Sequence, residues 1–293
     1  MMKIFAKLSL ITALLGLIIS CKTVTPPEAP KPEPKKLNPE SVLTFVNVEA
    51  ENPETLYLDF NLDLGNTLII DVNVLFQNPE LLINGMPADI SLFSIELPQN
   101  VTLMGQERKS IPLRLVFYAS EYEKNHQHDF DEYELALTIP VQHVFPDITI
   151  DTIPTAAASF PRVRKPEFHI TMIKIMQAEL INTRFQVSIK VDNPNHFPVE
   201  LSSFNYELYG DGRFWVKGAE KDILIIPAKE SSEIDLFLTM NFTNMRRNVL
   251  DQVIAMTEVQ YRFEGSAGVE TGAAYLPRFG MDFKLEGYSE VVR

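Results

Sequence analysis

The densest run of chemistry-bearing side chains is "HQHDFDE", which supplies His126, His128, Asp129, Asp131 and Glu132 within seven residues. Histidines two apart share one face of an extended strand, and imidazole with carboxylate is a ligand set that suits zinc. A second cluster elsewhere would have to complete the shell, and the sequence offers none. His126, His128 and Asp129 therefore stand as metal candidates, beside the plainer reading of a solvated loop in an acidic chain. "DFNLDLG", residues 59–65, has the acid spacing of a calcium loop. Its glycine comes one place late, however, and Ile70 occupies the twelfth position where a glutamate is required. Alternation of Phe60, Leu62 and Leu64 with polar residues describes a strand instead. No Gly-x-Ser-x-Gly elbow, His-Glu-x-x-His pair or phosphate-cradling glycine loop occurs. His169 and His196 lie beside strand-like segments and read as packed or solvated. Catalytic residues, cofactors and small-molecule cofactor sites are not expected, and the chain reads as non-enzymatic.

One sulfur chemistry remains. Cys21 is the single cysteine of 293 residues, so it has no partner for an internal disulfide. It follows Lys3, Lys7 and the apolar run "LSLITALLGLIIS", which is shorter than the roughly 20 residues that span a bilayer. Basic start, apolar core and small residue before a cysteine resemble a bacterial lipobox, although Ile18 and Ile19 stand where leucine and a small residue are usual. The resemblance implies a signal peptide over residues 1–20 and acylation of Cys21. The exported body would be held to a membrane of the cell envelope, with envelope or client proteins as its partners. Residues 21–39 hold six prolines from Pro26 to Pro39 and read as a semi-rigid tether, reaching about 50 Å at about 3.1 Å per residue.

Without residues 1–20 the formal charge moves from −13 to −15, because that segment carries two lysines and no acid. So acidic a surface repels phosphate backbones, and nucleic-acid binding is not expected.

What must position any site is β-structure. "RFQVSIKVD" puts Phe185, Val187, Ile189 and Val191 on one side of a strand; "SSEIDLFLTM" does the same with Ile234, Leu236, Leu238 and Met240. "SIPLRLVF" repeats the latter pattern 123 residues earlier, from Ile111. Gly85 in "LLINGMP" aligns with Gly212 in "LYGDGRF", and Asn66 with Asn195. The expected fold is all-β: two tandem antiparallel sandwiches over 40–162 and 163–293, joined at "SFPRVRKPEF". One short helix is expected in the second, over residues 244–256; the equivalent place in the first is polar, so a helix there is short or absent. Trp215 reads as a core aromatic and its neighbour Phe214 as a possible contact residue.

"KVDNPNHFPVELSSFNYELYGDG" carries a family resemblance. A strand ending in Asn193-Pro194-Asn195, then Pro198, then an apolar strand ending in Tyr206-Glu207-Leu208 is similar to the late-embryogenesis-abundant type 2 family, also called the water-stress and hypersensitive-response domain. The resemblance implies fibronectin-like sandwiches and a protective role under stress. Asn193, Pro194, Asn195 and Pro198 themselves read as structural, since proline ends strands and asparagine bonds nearby backbone. The rival expectation is a specific binding or accessory lipoprotein of an envelope assembly, with an apolar patch at the joint or around Phe214.

Overall fold

The computed structural model describes residues 39–126, 130–178, 182–220, 224–241 and 258–292. Cys21, the run before it, the tether up to residue 38, His128, Asp129 and the helix expected over 244–256 lie outside them.

Twelve strands come first: β1 (Glu40–Asn52), β2 (Thr55–Gly65), β3 (Val72–Phe76), β4 (Glu80–Ile83), β5 (Met86–Pro87), β6 (Phe93–Ile95), β7 (Asn100–Leu103), β8 (Arg108–Tyr118), β9 (Glu132–Thr138), β10 (Val141–Val144), β11 (Thr149–Thr152) and β12 (Thr155–Pro161). Eight follow: β13 (Glu167–Ala178), β14 (Asn182–Asp192), β15 (Val199–Gly210), β16 (Arg213–Glu220), β17 (Leu224–Ile226), β18 (Ser231–Asn241), β19 (Glu258–Glu270) and β20 (Arg278–Val292). The protein is all-β, with sandwich-like antiparallel sheets.

Period-two alternation builds these strands. β2 buries Leu56, Leu58, Phe60, Leu62 and Leu64, and it turns Asp59 outward to a two-pronged pair with Arg114, with bonds of 2.7 and 2.8 Å. That pairing holds the Asp59 carboxyl below its ordinary range, so the calcium-like spacing is the wet face of a strand. In the first half β1-β2-β8-β6 form one sheet, while β11-β10-β3-β7 and β12-β9-β4-β5 form two more. In the second half the order is β16-β15-β19-β20-β13-β14-β18, with β17 added to β15.

The same pairing recurs in the two halves. Gly65 sits opposite Arg108 between β2 and β8, and Asp192 opposite Ser231 between β14 and β18. The β4–β5 hairpin turns at Asn84-Gly85 (φ 50° and 77°), and β15–β16 turns at Asp211-Gly212 (φ 48° and 73°). One difference has a plain cause. Pro79, Pro140 and Pro154 fall between β3 and β4, β9 and β10, and β11 and β12. Proline donates no ladder hydrogen bond, so the sheet breaks along that line. Where the first half has these breaks, β15, β19 and β20 run on, and β15 takes up a register shift at Ser203 (φ 52°).

One core gathers buried residues from Leu43 to Phe160 and the other from Val163 to Phe283. Trp215 is buried and stacks on Phe185 at 5.4 Å between centroids, while Phe214 is exposed. The one α-helix among the described residues is α1 (Ala119–Asn125), short and in the first half. It packs buried Ala119 and Tyr122 inward and carries a Glu121–Lys124 pair of 2.6 Å.

Phe263 is fully buried among Phe204, Tyr206 and Phe283. Phe263→Ala is expected to lower unfolding free energy in urea by about 3–5 kcal/mol, and Phe237→Ala on the exposed face by no more than about 0.5 kcal/mol.

Candidate functional site

The hallmark residues lie where β14 ends. The buried Asn193 carboxamide donates to the carbonyls of Phe197 (2.8 Å), Ile226 (3.2 Å) and Pro227 (3.0 Å), and its oxygen accepts from the Asn195 amide (2.9 Å). Asn193 N donates to Glu230 O at 2.9 Å. One side chain thereby satisfies carbonyls that have left their ladders, which are costly to bury unpaired. Pro194 closes the turn and Pro198 precedes β15.

The first half has the same clasp. Asn66 Nδ2 donates to the carbonyls of Ile70 (2.7 Å), Leu103 (3.4 Å) and Met104 (2.8 Å). Its Oδ1 accepts from Leu68 N at 3.0 Å, and its own amide donates to Glu107 O at 2.9 Å. Asn66 therefore does the work of Asn193. The expected alignment of Asn66 with Asn195 is corrected by two residues: matching asparagines by identity ignores which amide makes the bonds.

Asn195 has a separate job. Its carboxamide accepts from Arg164 N (2.7 Å) and donates to Arg164 O (2.9 Å), holding the chain between β12 and β13. The arginines there reach into the first half. Arg162 Nε donates to Glu123 at 2.7 Å, and its guanidinium lies over the Phe130 ring at 4.4 Å. Tyr133 OH donates to the same carboxylate at 2.5 Å; burial, then that charge, push the tyrosine pKa far up and keep it a donor. Asp131 pairs with His196, with Lys229 at 2.7 Å and with Arg164 at 3.5 Å. Tyr275 OH donates to Pro161 O at 2.8 Å, and Ala50 N to Tyr275 O at 3.2 Å. Two open clefts flank this joint. One of about 650 Å3 is lined by Phe130, Asp131, Glu134, His196 and Phe197; the other, about 520 Å3, by Glu54, Lys124, Arg162 and Lys165. Chemically the joint is a network of satisfied charges that fixes one half against the other.

The metal candidates are thus divided. His126 stacks on Tyr122 at 4.3 Å, and the Asp131 carboxylate is engaged by His196, Lys229 and Arg164. Among the described residues no three His, Cys, Asp or Glu side chains converge as a ligand set. His169 faces Asp192 at 3.3 Å on an exposed strand.

The model of the family described as late embryogenesis abundant protein matches residues 188–281, the stretch that holds Asn193, Asn195 and the β14–β20 core. Residues 188–281 are similar to the late-embryogenesis-abundant family. No curated protein matches the chain. Similar solved structures include a protein from Archaeoglobus fulgidus, 13% identical over 43% of this chain and 97% of that one (TM-score 0.25). The periplasmic chaperone SfaE is 12% identical over 86% and 99% (TM-score 0.25). The Pseudomonas aeruginosa CupB2 chaperone is 16% identical over 78% and 92% (TM-score 0.22). In that matched stretch the hallmark asparagines are interior fasteners, and Asn195 reaches out of it to Arg164.

His143 was not legible as special in the sequence. Fully buried on β10, it places Nε2 at 2.9 Å from Ser41 Oγ of β1 and 3.2 Å from Thr152 Oγ1 of β11, tying two sheets together.

Asn193→Ala and Asn66→Ala are each expected to destabilise by about 1–3 kcal/mol in urea titration, for the carbonyls left unpaired. Burial holds the His143 pKa below the ordinary histidine value. The unfolded chain then takes up a proton that the folded chain refuses. Stability is fully present above about pH 6.5 and falls as pH drops below it. His143→Gln is expected to flatten that slope in denaturant midpoints measured against pH.

Proposed function

We propose that this is a lipid-anchored protein of the bacterial cell envelope, held through acylated Cys21 and a proline tether, whose exported body shields other proteins under stress. A stress-related, non-enzymatic role is what the late-embryogenesis-abundant match suggests; that match is the observation that carries the reading. The recurrent pairing and the two asparagine clasps support a body made of two copies of one unit, 40–162 and 163–293. A formal charge of −15 without residues 1–20 supports a surface that keeps particles apart. The hallmark residues are spent on their own backbone, which favours action by surface over action by a pocket.

A second reading, an accessory lipoprotein that binds one envelope partner, is favoured by the two open clefts beside the joint.

A reporter enzyme dried or heated with the body from residue 39 onward is expected to keep more activity than with an equally acidic control protein. Equal loss in both would remove the protective reading. Stoichiometric retention of one envelope protein in a pull-down would favour the second.

A further inference from the structure

Four large apolar side chains stand in solvent at one end of the first half: Ile69 is 83% exposed, Met104 69%, Ile148 49% and Ile70 44%. They lie on loops, and those loops are held. The Asn66 amide binds the carbonyls of Ile70 and Met104, Gln106 N donates to Leu68 O at 2.6 Å, and Gly105 N to Asp71 Oδ1 at 3.1 Å. The two loops touch so closely that a Cβ at residue 105 would meet Ile69 O at 2.3 Å. Ile148 joins them from the β10–β11 turn, where Phe145 N donates to Ile148 O at 2.9 Å. Asn73, next to the β3–β7 end pair Val72–Leu103, sits opposite Val144.

We propose that this tip seats in the lipid interface of the membrane that holds the chain. The inference rests on the anchor reading above. Two observations choose the occupant. First, the chain enters the fold here: Glu40, the first residue of β1, sits opposite Gly65, next to Asn66. Residues 22–39 alone separate it from Cys21. Second, the matching end of the second half faces protein and is written differently. Counting from the two clasps, His196 stands where the tip has Ile69, Pro227 where it has Met104, and Lys229 where it has Gln106. His196 and Lys229 there bind Asp131 across the joint. By the same count Phe197 stands where the tip has Ile70, so the two ends differ at the Ile69 and Gln106 places, where the end that meets protein carries His196 and Lys229. Isoleucine and methionine gain by leaving water for acyl chains and need no anionic headgroup, which suits a strongly acidic protein.

The test uses the full lipidated chain in phosphatidylcholine vesicles. Ile69→Cys, Met104→Cys and, as reference, Ile90→Cys are each labelled with an environment-sensitive dye; acylation leaves Cys21 unreactive. Ile90 is 72% exposed and adjoins β6, which pairs with the far end of β8. A blue shift at 69 and 104, quenched by lipids carrying a nitroxide near the headgroup, with neither effect at 90, is the expected result. Water-like emission at 69 and 104 while the protein stays on the vesicles overturns the proposal. So does a blue shift that nitroxide lipid leaves unquenched, as burial against a second copy would give. The anchor is judged apart, by flotation: Cys21→Ser prepared without residues 1–20 should leave the protein unbound, and a variant that still floats contradicts the anchor while the dye readout stands.

Discussion

Carbonyl groups that leave a β-ladder inside a protein must find a donor, and in this chain one carboxamide per half supplies it. Asn66 and Asn193 each donate to three carbonyls drawn from two separate loops and accept a backbone amide in return. Water cannot do this where the side chain is buried, and no other uncharged side chain but glutamine carries two donors and an acceptor in one plane. The loops that follow β2 and β14 owe their course to that arrangement. Through them it also sets what each end of a half presents: a pinned apolar tip in the first, and in the second the His196 and Lys229 side chains that grip Asp131.

The second asparagine of the hallmark extends the same logic from one half to its neighbour. Asn195 treats Arg164 as a strand partner, bonding both its amide and its carbonyl. Arg162 and Arg164 then carry charge to Glu123, to Asp131 and to the Phe130 carbonyl. Burying one ion pair contributes little by itself, since desolvation offsets attraction. Here Oε1 of Glu123 takes both the Arg162 Nε–H and the Tyr133 hydroxyl, which fixes the pair's arrangement at the joint. A family motif that might have marked a ligand site is used to fasten backbone, which is the ground for seeking function on the surface.

The strands were legible because each buries one face, and alternation records that burial directly. The hairpin turns were legible because Asn-Gly and Asp-Gly suit positive φ. Other features depend on contacts between distant residues. The short helix α1 hides only Ala119 and Tyr122, too few to write a period into a polar stretch. His143 occupies an inward place in "VQHV", and its partner Ser41 lies 102 residues away. Asp131 read as a metal ligand because its neighbours are acids and histidines, while the side chains that claim it, Arg164, His196 and Lys229, come from three later segments of which only the first was read as a joint. Asn66 was paired with the wrong asparagine because two asparagines stand two residues apart in the second half, and a carboxamide's role is set by what it reaches.

The account turns on the two clasps being closed in solution, and native-state hydrogen exchange reads that directly. The amides of Asn66 and Leu68, and of Asn193 and Asn195, should exchange as slowly as those of the central strands β2 and β14. Exchange at the rate of exposed loops, with β2 and β14 still protected, would contradict it.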